Sequence, residues 1–334
     1  MDNRHRSEQK ADRRLDDLVD LLADNATVML SGTKLASRLR IPPSTLWDAI
    51  EKLRSMGVEI HGLPGTGYQL KKIPDVLTPR VVRLALHAGE FGHRVHHYYK
   101  IDSTMNAAGQ FAAQGAKHGT LVIAEEQEAG RGRFGREWHS ERGAGLYFTL
   151  ILRPKLTPAE APIITLMAGA ALAEVLGEIL HVPTDLRWPN DVLIGAKKCA
   201  GILVEMTAEP ERIAWVLLGL GVNVNQIRWP EALQTEATSL RMETGRNWSR
   251  LEILAAVLKR LEQYYLLLMQ DGREPILKRF AELSSYAQGK RVKVTDGDRV
   301  VSGETAGLSP EGILLLRRQD GQIERVLTGQ VREE

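Results

Sequence analysis

Leu15, Leu18, Val19 and Leu22 recur at i, i+3, i+4 and i+7 with charged residues between them, which predicts an amphipathic helix near the start of the chain. A shorter helical pattern runs from about Lys34 to Arg40, with Leu35, Ala36 and Leu39 inward. Pro42-Pro43-Ser44 interrupts it and caps a third helix, whose apolar stripe is Leu46, Ile50 and Leu53 and whose stop is Met56-Gly57. Val58 and Ile60, then Tyr68 and Leu70, flank Pro64-Gly65-Thr66-Gly67, the pattern of a strand, a tight turn and a second strand. Three small helices followed by a hairpin predict a winged helix-turn-helix over residues 1–75.

Lys71-Lys72-Ile73-Pro74 reads as a linker, and Thr78-Pro79 opens the next helix. Residues 78–284 mix the two periods. Strand patterns fall at 121–124, 146–152, 201–206 and 213–224, and a long helix starts at Pro162 with Ile163, Leu166, Met167 and Ala170 inward. Helices over about 249–269 and 275–283 close this part. In residues 285–334, short apolar runs at 291–295, 299–305, 313–317 and 323–327 are separated by Asp-Gly and Pro-Glu-Gly turns, which predicts a small β-barrel. The chain therefore reads as α+β in three parts.

Composition narrows the class. A chain of 334 residues with 43% hydrophobic and 26% charged residues is an ordinary globular one, which excludes wholesale disorder, collagen and coiled-coil arrays. No run approaches the ~18 apolar residues of a membrane span, and the polar N-terminus lacks the apolar core of a secretory signal. The single cysteine, Cys199, builds neither an intrachain disulfide nor a thiolate metal site, which fits a reducing cytoplasm. His93, His96 and His97 invite a metal reading, but no carboxylate or cysteine stands at ligand spacing, so exposed loop histidines are expected. No P-loop is present.

The chemistry concentrates in three stretches. Gly130, Gly132 and Gly135 satisfy G-x-G-x-x-G, yet the chain after them is turn-like and returns as a strand, so a dinucleotide fold does not follow. Arg131, Arg133 and Arg136 lie within six residues on a glycine-permitted backbone. Such guanidinium groups repel unless an anion joins them, and a triphosphate or acyl phosphate does so through paired hydrogen bonds. The competing reading is a solvated turn balanced by Glu125, Glu126, Glu128 and Glu137; the interleaved glycines favour a ligand loop. The second stretch is Arg187-Trp188-Pro189-Asn190-Asp191, followed by Lys197-Lys198 at the mouth of an apolar strand, with Cys199 read as a buried small residue. The third, Gly219-Leu220-Gly221-Val222-Asn223, permits close backbone approach, and its amides are candidates to bond an adenine or ribose.

In that order, Asp102-Ser103-Thr104, the 130–138 loop, Trp188-Pro189-Asn190-Asp191, Lys198-x-Ala200-Gly201-Ile202-Leu203-x-Glu205 and Gly219-x-Gly221-x-Asn223 resemble the biotin protein ligases. With the winged helix before and the small barrel after, the likeness extends over nearly the whole chain, to the bifunctional ligases that are also biotin operon repressors. The resemblance implies a mixed α/β catalytic domain of the class II synthetase type at 78–284 and an SH3-like domain at 285–334. It implies biotin and Mg-ATP as substrates, biotinyl-5′-adenylate as intermediate, and a lysine of the biotin carboxyl carrier protein of acetyl-CoA carboxylase as acceptor.

By position, the resemblance assigns biotin and its adenylate to Ser103, Thr104, Met105, Gln127, Arg131, Gly132, Arg133 and Lys198, with Arg131, Arg133 and Lys198 carrying the chemistry. Arg136, Trp138, Asn190, Asp191 and Asn223 are assigned to the nucleotide, Asn190 and Asp191 to phosphate or metal; the metal ligands stay unassigned. Two positions depart from the family: Met105 then Asn106 stand where Asn directly follows the Ser-Thr pair, and Cys199 replaces a leucine.

Operator DNA, bound by an adenylate-loaded homodimer, is the further implied partner, with Ser44, Thr45, Trp47, Lys52 and Thr66 as contacts. From 34 to 72 there are seven Lys/Arg against three Asp/Glu, a modest excess, and Asp48 and Glu51 on the reading helix oppose it. The alternatives are a lipoate or octanoate ligase, disfavoured by the Arg131-Gly132-Arg133 loop, and a ligand-sensing repressor without ligase activity, for which a phosphate-binding arginine loop has no use.

Overall fold

A computed structural model describes residues 3–25, 28–55, 58–63, 65–71, 75–86 and 89–334. The helix stop at Met56-Gly57, Pro64 of the turn, and linker residues Lys72, Ile73 and Pro74 lie outside the described residues. The first part contains α1 (Asn3–Ala23), α2 (Gly32–Leu39), α3 (Pro43–Ser55) and the antiparallel hairpin β1 (Ile60–Leu63) and β2 (Gly67–Leu70). Its core is the one the periodicity marks: Leu15, Leu18, Val19, Leu22, Leu35, Leu46, Ile50 and Leu53, closed by Ile60, Tyr68 and Leu70. Ser31 caps α2 by accepting from the Lys34 amide. Arg54 donates to Ile60 O and Gly62 O, pinning the wing to α3, and pairs with Glu51 at 2.7 Å.

The middle part runs α4 (Pro79–Ala85), β3 (Val95–Tyr98), α5 (Thr104–Ala113), β4 (Thr120–Ala124), β5 (Gly145–Leu152), α6 (Ile163–Leu180), β6 (Thr184–Arg187), β7 (Asp191–Ile194), β8 (Lys197–Ala208), β9 (Ile213–Asn223), α7 (Leu240–Thr244), α8 (Arg250–Asp271) and α9 (Glu274–Glu282). Seven strands form one sheet in the order β3-β4-β5-β9-β8-β7-β6, antiparallel except for β3 with β4. Both faces are covered, so β4 is buried throughout and apolar from Leu121 to Ala124. Leu121 and Ile123 join the core beneath α6 and α8, whereas Val122 and Ala124 join a second core beneath α5. Helix α6 is apolar and long enough for a bilayer by composition, but its length is used inside the domain, where most of its residues are buried.

The last part is a five-stranded antiparallel sheet of β10 (Gln288–Asp296), β11 (Arg299–Leu308), β12 (Leu314–Arg317), β13 (Ile323–Val326) and β14 (Gln330–Glu333), ordered β13-β12-β11-β10-β14. Val292, Val294, Leu314 and Leu316 belong to the same core as α6 and α9, and Trp188 Nε1 donates to Gly312 O at 3.0 Å. This part therefore packs as a continuation of the middle one.

Two expectations change. His97 is a buried residue of β3, not an exposed loop residue; its ring nitrogens face Asp16 at 2.9 Å and Glu125 at 3.1 Å. His96 stacks on Phe111, with ring centroids 3.8 Å apart. The amides of 219–223 are not open to a nucleotide, because β9 lies between β5 and β8 and is paired on both sides.

Candidate functional site

The site forms where α5 stops covering the sheet. Ser103 caps α5 by accepting from the Met105 amide, and Thr104 receives order from Gln127, whose Oε1 accepts from Thr104 N at 2.9 Å and from its hydroxyl at 3.1 Å. Beyond this end, the sheet presents Gly201, Gly219 and Gly221. A Cβ on Gly219 would lie 2.6 Å from Met105 Sδ, and one on Gly221 2.3 Å from the Trp138 ring. Glycine is required here because side chains lie directly on the strand backbone.

The arginine loop crosses this floor. It closes on itself through Gly132 N to Arg136 O at 2.7 Å and Trp138 N to Gly130 O at 2.8 Å, with Phe134 at φ 58° in the left-handed region. Arg131 pairs with Glu205 and donates to Asn106 Oδ1 at 3.0 Å. Arg133 donates to Asn190 Oδ1 at 3.1 Å and to the Thr328 hydroxyl at 3.0 Å; Arg136 donates to Gln330. Three of the four acidic residues proposed to balance a solvated turn are engaged elsewhere, Glu125 with Arg250 and His97, Glu126 with Arg142, and Glu128 with Lys100; Glu137 stays exposed beside the loop at the outer cavity.

Lys198 reaches the site because β8 carries one extra residue: Val192 pairs with Ala200 but Leu193 with Lys198, leaving Cys199 as the bulge. Lys198 Nζ is 2.5 Å from Asp191 and 5.2 Å from the centroid of Trp138. Asp191 also accepts from Arg187 Nη2 at 2.7 Å. Burial raises its carboxyl pKa, but Lys198 and Arg187 outweigh that and hold it below the usual range. Burial pushes the Cys199 thiol up to about 12, so it is not a nucleophile.

Two cavities meet on these side chains. The inner one, about 440 Å³, is lined by Thr104, Met105, Gln127, Arg131, Phe148 and the floor 201–203 and 219–221. The outer one, about 940 Å³ and open to solvent, is lined by Arg136, Arg187, Asp191, Asn223, Trp229 and residues 329–332 of β14 and the turn before it. Gly132, Arg133, Trp138, Asn190 and Lys198 line both. Arg131, Arg133 and Lys198 thus face one shared space. Asn223 Oδ1, at the outer cavity, and Trp138 Nε1, over Gly221 where the two cavities meet, are buried without a hydrogen-bond partner.

Ser103 is the predicted site residue that lies behind the lining, fully buried under α5. The side-chain amide of Asn106 joins Asp102 to Arg131. On α3, Ser44, Trp47 and Lys52 are exposed and Thr45 is half-buried; Thr66 is exposed on the wing and bonds Leu63. Sequence reasoning missed Gln330 and Arg332, which no local pattern connects to a loop nearly two hundred positions earlier, and Trp229.

Three family descriptions match this chain: the biotin/lipoate A/B protein ligase family over 98–223, an HTH domain over 14–69, and a biotin protein ligase C-terminal domain over 288–331. The bifunctional ligase/repressor BirA of Bacillus subtilis is 35% identical over 307 residues, 91% of this chain and 94% of that one. The bifunctional ligase/repressor BirA of Escherichia coli is 32% identical over 318 residues, 94% of this chain and 95% of that one. Among solved structures, the biotin protein ligase of Aquifex aeolicus in complex with biotin and ATP superposes with a TM-score of 0.63 at 31% identity, covering 72% of this chain and all of that one.

Proposed function

Because the chain belongs to the bifunctional biotin protein ligase/repressor family, we propose that its two joined cavities hold biotin in the inner lobe and the nucleotide in the outer one. The protein is an ATP-dependent biotin ligase and a repressor with an HTH domain. In the first step a biotin carboxylate oxygen attacks the α-phosphorus of ATP, the bond to the bridging oxygen breaks, and pyrophosphate leaves. In the second, a lysine ε-amine attacks the acyl carbon of biotinyl-5′-adenylate, the bond to AMP breaks, and the nitrogen loses its proton to solvent. The acceptor we assign is a biotin carboxyl carrier protein.

The single observation that carries the reading is the seam: the cations Arg133 and Lys198 line both cavities. The first step brings a carboxylate to a polyanion, so its main need is fixed positive charge where the two meet. Arg131, Arg133 and Lys198 supply it; Thr104, Met105, Gln127 and Gly132 form the inner pocket, with Ser103 holding α5 behind them. Arg136 faces phosphate, Asn190 orients Arg133, and Asp191 orients Lys198. The orphaned Asn223 Oδ1 and Trp138 Nε1 are an acceptor and a donor suited to a purine edge.

Asp191 is committed to two cations, and no group of three metal-ligating side chains occurs among the described residues. We therefore read Mg2+ as arriving on the triphosphate. The domain limits 1–75, 78–284 and 285–334, a cytoplasmic setting, an adenylate-bound homodimer and operator contacts from Ser44, Thr45, Trp47, Lys52 and Thr66 complete the proposal. Glu51 is neutralised by Arg54, so on α3 only Asp48 opposes DNA. The test is transfer of biotin to a carrier domain, read as a mass increase, with lipoate and octanoate as competitors. Transfer of biotin alone supports the assignment; equal use of lipoate would refute it.

A further inference from the structure

Outside the site lies a chain of buried charge that the reaction does not use. Asp16 of α1, in the winged helix, faces His97 Nδ1 at 2.9 Å; His97 Nε2 faces Glu125 Oε1 at 3.1 Å; Glu125 Oε2 accepts from Arg250 Nη1 at 2.6 Å; and Arg250 Nε donates to Asp75 at 2.9 Å. The His97 side chain is fully buried and Asp16, Glu125 and Arg250 nearly so. A neutral imidazole has one N–H and satisfies one carboxylate, so two facing carboxylates require the doubly protonated ring. The four buried groups then sum to zero.

Glu125 is the hub. It also accepts from Leu77 N at 2.9 Å, just after the linker, and it directly follows β4, two residues before Gln127. Gln127 in turn holds the first amide of α5 and donates to the Ser140 hydroxyl at 2.9 Å, beside the arginine loop. Arg250 Nη1 also reaches Gly145 O, where β5 starts. A path of side-chain hydrogen bonds, joined through the backbone of residues 125–127, thus runs from the winged helix to the inner cavity.

We propose that His97 and Glu125 are positioning residues that couple the winged helix to the biotin pocket, so that docking of α1 sets the 125–127 turn and ligand binding in turn tightens α1. This rests on the assignment of Gln127 to that pocket. Coupling between sites is reciprocal: what the winged helix gives to biotin affinity, biotin gives to the winged helix.

The experiment uses the full chain with Asp16→Asn and His97→Gln, and with Arg80→Ala as comparison. Arg80 forms an exposed pair with Asp24 between the same two domains but touches none of the buried chain. Adenylate formation gives KM and kcat, and hydrogen exchange across 15–22 is followed with and without biotin plus ATP. The expected result is a KM for biotin raised about 3- to 10-fold with kcat kept in Asp16→Asn and His97→Gln. Slowing of exchange by ligand is expected in the parent chain and in Arg80→Ala, and is lost in the other two. If Arg80→Ala raises KM as much as Asp16→Asn, docking in general and not this chain does the work, and the proposal fails. If Gln127→Ala impairs biotin binding while Asp16→Asn leaves KM and ligand-dependent exchange unchanged, only the coupling is overturned; if Gln127→Ala leaves biotin binding intact, the pocket assignment falls with it.

Discussion

Arg133 and Lys198 are held by groups whose own charge or polarity depends on them. Lys198→Ala removes a cation from the seam and leaves Asp191 with Arg187 as its one ion-pair partner. The expected effect is a loss of adenylate formation of about 10²- to 10³-fold together with a lower Tm, whereas Lys198→Arg keeps the pair and recovers Tm without full activity. Titration gives a second prediction. Burial lowers the pKa of His97, but Asp16 and Glu125 raise it to about 10 overall. Its contribution to stability is therefore complete below its ordinary value of 6.5 and is lost as pH rises toward 10. Glu125, which burial raises but Arg250 and His97 lower to about 2, contributes fully above its ordinary 4.5 and loses that contribution in acid. Tm is expected to fall from pH 7 to 10 in the parent chain and to be flatter there in His97→Gln. Reading residues alone, the cationic character of the loop was legible from alternate arginines. The burial of His97 was not, since its two carboxylate partners stand 81 and 28 positions away.

At the scale of elements, the long helices were legible because each repeats its period over two or more turns, and the β5, β8 and β9 strands because each contains an apolar run. The four-residue strands β3, β6 and β7 were not. Four positions are too few to show a period, and the equally short β1, β2, β12 and β13 were legible only through the glycine-bearing turns beside them, whereas β6 and β7 are tied by sheet pairing and by Arg187 with Asp191. The bulge at Cys199 escaped for the same reason, although the small cysteine in place of leucine marks the spot. The glycines of β9 were noticed for the right property, closeness of approach, but the approaching groups are Met105 and Trp138 of the chain itself. Gly221→Ala is therefore expected to push the indole off the floor. Intrinsic fluorescence should shift and adenylate formation should fall by about tenfold or more, while circular dichroism stays that of the parent chain.

For the whole molecule, the sequence shows three changes of pattern; the winged helix has a core of its own, which Val76 and Tyr99 from beyond residue 75 also join. The boundary at 285 is less physical than it looks from sequence, because the last sheet shares its core with α6 and α9 and sends Gln330 and Arg332 into the outer cavity. Trp188→Phe, which removes the bond to Gly312 O, is expected to cost about 1 kcal/mol and to be seen as one cooperative transition of both parts by calorimetry. The most direct test of the seam is biotin-dependent exchange of labelled pyrophosphate into ATP, which reads adenylate formation without any carrier protein. Exchange that needs biotin in the parent chain and falls at least a hundredfold, on the order expected for lost fixed charge, in Arg133→Ala and Lys198→Ala is the predicted result. Parent-level exchange in both variants, with the fold intact, would contradict the account.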